Sequence, residues 1–300
     1  MPASNKMTAV LVAVACLAAA AAAADTAVER GRYIFFATGC IACHSAEQVL
    51  AGGRPLETPF GTFHPPNITP SREQGIGEWT QEEFERALRF GISPRGEHYY
   101  PAFPYPSYTQ MTQADIRALY AYLMSLPAAS RLNEPHELHW PYSLRPLIAY
   151  WKDGAFAPGA YSPDPDRSAQ WNRGAYLANA LGHCSECHTA RGFLGMPDRD
   201  RYLAGTCNGP EGRVVPNITP DRATGIGGWS QQQLTDFLGS GRRPDGSMTG
   251  SLMLEVLGTG GMRLSEPDRQ ALAVYLLSLP PVDHNLAVFC APFDDAAFYE

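Results

Sequence analysis

Two short stretches constrain this chain more than anything else in it: "GCIACHS" and "HCSECHT". They set Cys40, Cys43 and His44, and again Cys184, Cys187 and His188, in the same C-x-x-C-H spacing. Two thiols about one helical turn apart reach both vinyl groups on one edge of a porphyrin, and the adjacent histidine swings its imidazole onto the iron as proximal ligand. A redox dithiol has no need of the histidine, and zinc needs further paired ligands. The spacing therefore predicts two covalently bound haem c groups, with His44 and His188 as iron ligands. Each half must fold around a large flat cofactor that supplies much of its core.

The two motifs belong to a longer internal repeat. Ahead of them stand "ERGRYIFFATGC" and "NRGAYLANALGHC"; behind them come "PNITPSREQGIGEWTQEEFERAL" and "PNITPDRATGIGGWSQQQLTDFL". Asn67 to Asn217 and Trp79 to Trp229 are both shifts of 150, and "ALYAYLMSLP" and "ALAVYLLSLP" close the halves at a shift of 153. Thr80 with Glu83 and Ser230 with Gln233 read as capping boxes, with Trp79/Phe84 and Trp229/Leu234 as hydrophobic staples. Thr112 and Ser265 read as the caps that start the closing helices. The expected fold is all-α: two tandem class I cytochrome c domains, each with one covalently attached haem. Domain 1 is expected at 25–140, an aromatic and Pro-rich interdomain strap at 141–165, and domain 2 with a C-terminal tail at 166–300. Tyr33 and Tyr176, from the repeated Arg-Gly-x-Tyr, are expected against the closing helices near Tyr122 and Tyr275. The repeated "NIT" is expected to be a structural turn.

Composition narrows the setting. Of 300 residues, 45% are hydrophobic and 18% charged, which suits a globular chain. The net charge is −7 and no Lys/Arg-rich run exists, so nucleic acid is not an expected partner. Lys6, the apolar run that follows and Ala22-Ala23-Ala24 read as a cleavable signal peptide over 1–24, implying export to the periplasm. No later window reaches the roughly 18–20 apolar residues of a membrane span. Of seven cysteines, Cys16 falls in the leader and four in the motifs. That leaves Cys207 and Cys290 as a disulfide candidate outside the cytoplasm. Arg86 and Arg89, beside Glu82, Glu83 and Glu85, read as a solvated helix face. Arg32, Arg54, Arg191 and Arg213 stand near the haem segments and are candidates to pair with propionates.

The stretches "PNITP…GIG.W", "YPAFPY", "DIRALYAYLMSLP", "WNRGAYLANALGHCSECHT" and "ALAVYLLSLPP" resemble the cytochrome c subunits of bacterial membrane-associated alcohol, gluconate and fructose dehydrogenases. They are also similar to dihaem subunits of molybdenum-containing aldehyde and N-heterocycle oxidoreductases. The likeness runs from about Glu29 to Val282. It implies a periplasmic relay with no catalytic residues of its own. The implied partners are a dehydrogenase catalytic subunit of flavin, quinoprotein or molybdenum type and a downstream acceptor, which is a quinone, another cytochrome or a terminal oxidase. Peripheral association with the membrane through such a complex is implied as well. The alcohol dehydrogenase-type subunits carry three haems, and this chain has motifs for two.

The sixth ligands differ between the halves. In the second, Met253 sits where the family's third-haem segment carries methionine and is the expected ligand, with Met248 as rival. In the first, the family's "YPAMPY" becomes "YPAFPY", and Phe103 cannot ligate iron. His98, the repeat partner of Met248, is the first choice for haem 1. Met111, His64 and an open five-coordinate iron are the alternatives. Met111 also reads as a staple residue packing on Ile116. Bis-His ligation generally lowers a haem potential and a thioether raises it, so electrons would run from haem 1 to haem 2. An open haem 1 would instead suit a haem enzyme of dihaem peroxidase or thiosulfate dehydrogenase type.

Overall fold

The repeated Arg-Gly-x-Tyr stretches lie on helices that cross the closing helices at backbone contact. Helical residues 25–37 (α1) carry Gly31, and Ala169–Tyr176 (α7) carries Gly174. A Cβ on Gly31 would stand 1.9 Å from the Ala118 carbonyl oxygen, and one on Gly174 would stand 2.0 Å from that of Ala271. Only glycine permits this approach, so α1 seats on α5 (Gln113–Met124) and α7 on α11 (Glu266–Leu277). The computed structural model describes residues 25–192 and 195–290. The leader read at 1–24 and the end of the tail lie outside the described residues.

The short motif helices α2 (Cys40–His44) and α8 (Ser185–His188) follow α1 and α7, the latter through a π-helical turn at Leu177–Leu181. Next come α3 (Gln81–Phe90) and α9 (Gln231–Ser240). Both open on the capping boxes read from sequence: Glu83 N–H donates to Thr80 Oγ1 at 3.2 Å and Gln233 N–H to Ser230 Oγ at 3.2 Å. Both stop at a left-handed glycine, Gly91 or Gly241. Their inward faces bury Phe84, Ala87 and Leu88 in one and Leu234, Thr235 and Leu238 in the other. Before the closing helices stand α4 (Tyr105–Tyr108) and α10 (Ser251–Thr259). Thr112 and Ser265 then cap α5 and α11 by accepting from Asp115 N–H and Asp268 N–H. Met111 and Ile116 are both fully buried, as a staple pair requires.

The two tyrosines correct the sequence reading. Their helices do seat on their own closing helices beside Tyr122 and Tyr275, but each hydroxyl bonds the N-terminus of the other half's closing helix. Tyr33 O–H donates to Asp268 at 2.5 Å, and Tyr176 O–H donates to Asp115 at 2.6 Å. Each aspartate is also paired within its own half, Asp115 with Arg30 and Asp268 with Arg173. A repeat makes own-half and cross-half partners equivalent in sequence, so only packing decides between them.

The connection between the halves contains a helix, and the all-α expectation needs a small sheet added. Strands β1 (Leu56–Thr58) and β2 (Gly61–Phe63) pair antiparallel, and β3 (Glu137–Leu138) adds to β2. Within the connection, Pro146–Ala155 forms a helix, α6. Its Lys152 is buried, its Nζ donating to the carbonyls of Phe90 and Gly91 at the C-terminal end of α3. A cation there meets both the unpaired carbonyls and the negative end of the helix dipole. The rings of Tyr105 and Phe156 flank it at 4.6 and 5.7 Å. At the end of the described chain, α12 (Leu286–Phe289) leads to Cys290, which is disulfide-bonded to Cys207.

Candidate haem-attachment sites

Each motif is a single helical turn that lifts its two thiols and presents its histidine. All four thiols, Cys40, Cys43, Cys184 and Cys187, are free of disulfides. Burial pushes Cys40 and Cys184 up to about 11 and Cys187 up to about 12, and it raises Cys43 as well. They are held as neutral thiols, the form that adds across a vinyl group as thiol plus alkene.

The histidines are fixed by their loops. His44 Nδ1 lies 2.7 Å from the Pro66 carbonyl oxygen and His188 Nδ1 lies 2.8 Å from that of Pro216. A carbonyl only accepts, so Nδ1 carries the proton and Nε2 keeps its lone pair. Burial lowers both imidazoles below their ordinary pKa, only partly offset by these hydrogen bonds, and so favours the neutral form. The prolines are held by the asparagine of each "PNIT" turn. Asn67 Oδ1 accepts from Thr69 N–H and O–H while its Nδ2 donates to the Ala129 carbonyl at 2.9 Å. Asn217 does the same with Thr219 and the Val282 carbonyl at 2.8 Å. The repeated "NIT" is thus a buried structural turn. Gly52, at φ 80°, and Gly205, at φ 84°, donate their N–H groups to the carbonyls of His44 and His188. A Cβ on Gly52 would lie 2.4 Å from the Pro65 carbonyl oxygen, so this loop also requires glycine.

Paired thiols and an imidazole whose Nε2 keeps its lone pair fit haem c. They do not make a zinc site: among the described residues no group of three or more His, Cys, Asp or Glu could hold a metal ion. In a protein, outer hydrogen bonds of this kind fix the ligand ring and raise its basicity.

The candidate sixth ligands lie in different surroundings. His98 pairs across a bridge with Ile92, and its Nδ1 is buried with no hydrogen-bond partner. Desolvation and the Lys152 charge lower its pKa, outweighing the pull of Asp153. Its repeat partner Met248 is 44% exposed, beside Gly241. Met253 lies on α10, partly buried against the core. Met111 lies wholly in the core, and its counterpart one residue before the second cap is the buried Leu264. His64 is buried 3.2 Å from Glu134. The arginines read as candidates for propionates meet protein groups: Arg54 pairs with Glu255, Arg191 with Glu186 and Arg213 with Glu211, while Arg32 lies over the Phe36 ring. On the helix face, Arg89 pairs with Glu85 and Arg86 bonds the carbonyls of Ser93 and Pro94.

Each motif also meets elements of the other half, at contacts the sequence did not specify. Helix α10 packs on α2, with Arg54 bonding both Glu255 and the Ala42 carbonyl, and Ser107 of α4 donates to Glu186, which lies between Cys184 and Cys187. Tyr108, fully enclosed, donates to the Thr38 carbonyl at 2.9 Å and sets its ring edge-on to His183 at 5.7 Å. The only sequence signal was the repeat itself, which placed equivalent groups without saying which of them touch.

A single turn that offers two thiols and a carbonyl-oriented histidine, in a half closed by a capped helix, defines a c-type cytochrome. The chain belongs to the cytochrome c family and carries covalently bound haem c. The cytochrome c family model matches residues 28–127. A diheme cytochrome c-type protein of Cereibacter sphaeroides is 42% identical over 262 residues, covering 85% of this chain and 86% of that one. A nicotinate dehydrogenase subunit of Pseudomonas putida is 41% identical over 88% of this chain, which spans 22% of that protein. The gluconate 2-dehydrogenase cytochrome c subunit of Pantoea cypripedii is 37% identical over 88% of this chain, which spans 62% of that subunit. No helix among the described residues is long and apolar enough to cross a membrane.

Proposed function

We propose that this chain is a periplasmic dihaem electron relay, taking electrons from a dehydrogenase catalytic subunit and handing them to a downstream quinone, cytochrome or terminal oxidase. In this reading residues 1–24 are a cleaved leader, and 25–140 and 166–300 are two class I domains joined by 141–165. Bound haem c supplies one-electron Fe(III)/Fe(II) chemistry. The observation that carries the reading is a pair of attachment turns, each with a neutral histidine oriented by a carbonyl, in two halves that touch beside them at Ser107–Glu186 and His183–Thr38. The names of the relatives support a dehydrogenase as partner. The flavin, quinoprotein and molybdenum types are the classes proposed for it.

His44 and His98 serve haem 1 and His188 and Met253 serve haem 2, with Cys40, Cys43, Cys184 and Cys187 as attachment points. For His98 the support is a buried nitrogen with no protein partner, which left unligated costs about 1–3 kcal/mol. Low-temperature EPR of the ferric holoprotein tests this directly. The expected result is two low-spin signals, with the bis-His type lost in His98→Ala. One observation favours a second reading: Phe103 stands where the related segment has methionine, its ring set against Tyr99 and Tyr108. A high-spin haem 1 with peroxide turnover would put the haem-enzyme reading ahead.

A further inference from the structure

Immediately before the two attachment turns, the halves use different residues for the same backbone task. Gly39 precedes Cys40 at φ 64°, and His183 precedes Cys184 at φ 37°. A left-handed conformation suits glycine, and other residues hold it only where the surroundings enforce it. The first half shows that glycine serves. The second half has histidine, whose hydrogen bond and ring contact both lie in the other half.

That side chain reaches into the other half. His183 Nε2 lies 3.3 Å from the Thr38 carbonyl oxygen, a contact in which only the nitrogen can donate. The same carbonyl accepts the Tyr108 hydroxyl, and the Tyr108 ring packs against the imidazole. Thr38 Oγ1 in turn lies 3.2 Å from Cys40 Sγ. One sulfur attachment point is therefore connected to the other by a short chain of groups: Cys40 sulfur, Thr38, the His183 imidazole and the peptide bond to Cys184. Burial encloses it, since Thr38 is 1% and Tyr108 5% exposed.

We propose that His183 is a positioning residue for electron exchange between the two haems, locking the attachment turns together at the Thr38 carbonyl with Tyr108 as its brace. The inference rests on the dihaem reading above. It accounts for a histidine kept where the backbone favours glycine.

The test uses the full-length holoprotein, loaded with haem, as wild type, His183→Gly and His183→Gln. Glycine is the residue of the other copy and fits the backbone; glutamine keeps an N–H donor. Haem content per chain is measured first, then midpoint potentials, then the rate of internal electron equilibration after one-electron flash reduction. The expected result is two haems in every variant and potentials as in wild type. Equilibration should slow about tenfold in His183→Gly, the low end of outer-shell effects at metal sites, and recover in His183→Gln. An unchanged rate in His183→Gly overturns the proposal, as does a slowing fully explained by altered potentials or one that His183→Gln shares. Fewer than two haems in the wild type, or no internal phase there, overturns the relay reading itself and the inference with it.

Discussion

Removing one oxygen from Tyr176 should loosen the docking of the two halves by a calculable amount. Tyr176 is 5% exposed and its hydroxyl donates to Asp115, itself 2% exposed, while accepting from Thr112 N–H at 3.0 Å. In Tyr176→Phe, Arg30 still pairs with Asp115 Oδ1, but Oδ2 loses the hydroxyl that donates to it. Thr112 is exposed, so water takes over its N–H at little cost. The loss is then one hydrogen bond to a buried charge, about 2 kcal/mol within a range of about 1.5–3. The mirror change, Tyr33→Phe, should cost less, about 1 kcal/mol, because Tyr33 is half-buried and Arg173 continues to serve both oxygens of Asp268. Urea titration of the holoprotein, followed by circular dichroism, gives both values. A double-mutant cycle with Asp115→Asn should show about 1–2 kcal/mol of coupling for Tyr176. Additivity within about 0.5 kcal/mol, or a larger penalty for Tyr33→Phe, would refute the crossed-tyrosine account.

Three further outcomes follow from other features. Gly174→Ala should destabilise by about 1–3 kcal/mol, because its Cβ would meet the Ala271 carbonyl oxygen at 2.0 Å and backbone cannot yield. Gly228→Ala, with nothing within 4 Å, is the neutral control in the same urea assay. Burial alone would raise the Asp268 carboxyl, but hydrogen bonds from Arg173 and Tyr33 and the Arg173 charge bring it below the ordinary 3.8. Its folded pKa is thus the lower one, so its stabilisation is present above pH 3.8 and is lost as pH falls through the folded value. Asp268→Asn should flatten the stability profile in that acid range. Finally, the Cys207–Cys290 bond spans 83 residues, for which chain entropy gives about 4–5 kcal/mol as an upper figure. Cys290→Ser should lower the urea midpoint accordingly, and reductant should do the same to the wild type and nothing to the variant.

What could be read from sequence was whatever is decided within a few residues. The capping boxes at Thr80 and Ser230, the caps at Thr112 and Ser265 and the buried staple Met111/Ile116 depend on spacings of three to five residues, and the structure has them. The thiol and histidine spacing is equally local. Long-range partners were not legible. Tyr33 bonds a residue 235 positions away, and duplication made its two plausible targets indistinguishable. Helix α6 was hidden by its composition, since an aromatic, Pro-flanked segment holds its helix through Lys152 binding another element. His183 looked like any residue beside a motif, because only its backbone conformation marks it.

The asparagine turns tie two distant parts of the chain into one lever. Asn67, next to Pro66, grips Thr69 on one side and Ala129 on the other, just past the end of α5, where the connection to the second half departs. Asn217 grips Val282 in the same way, just before α12 and the disulfide. The segments that leave each closing helix are thereby fastened to the carbonyls that orient His44 and His188. A pull on the connection, or on the tail, would therefore run through the asparagine turn to the carbonyl that orients an imidazole.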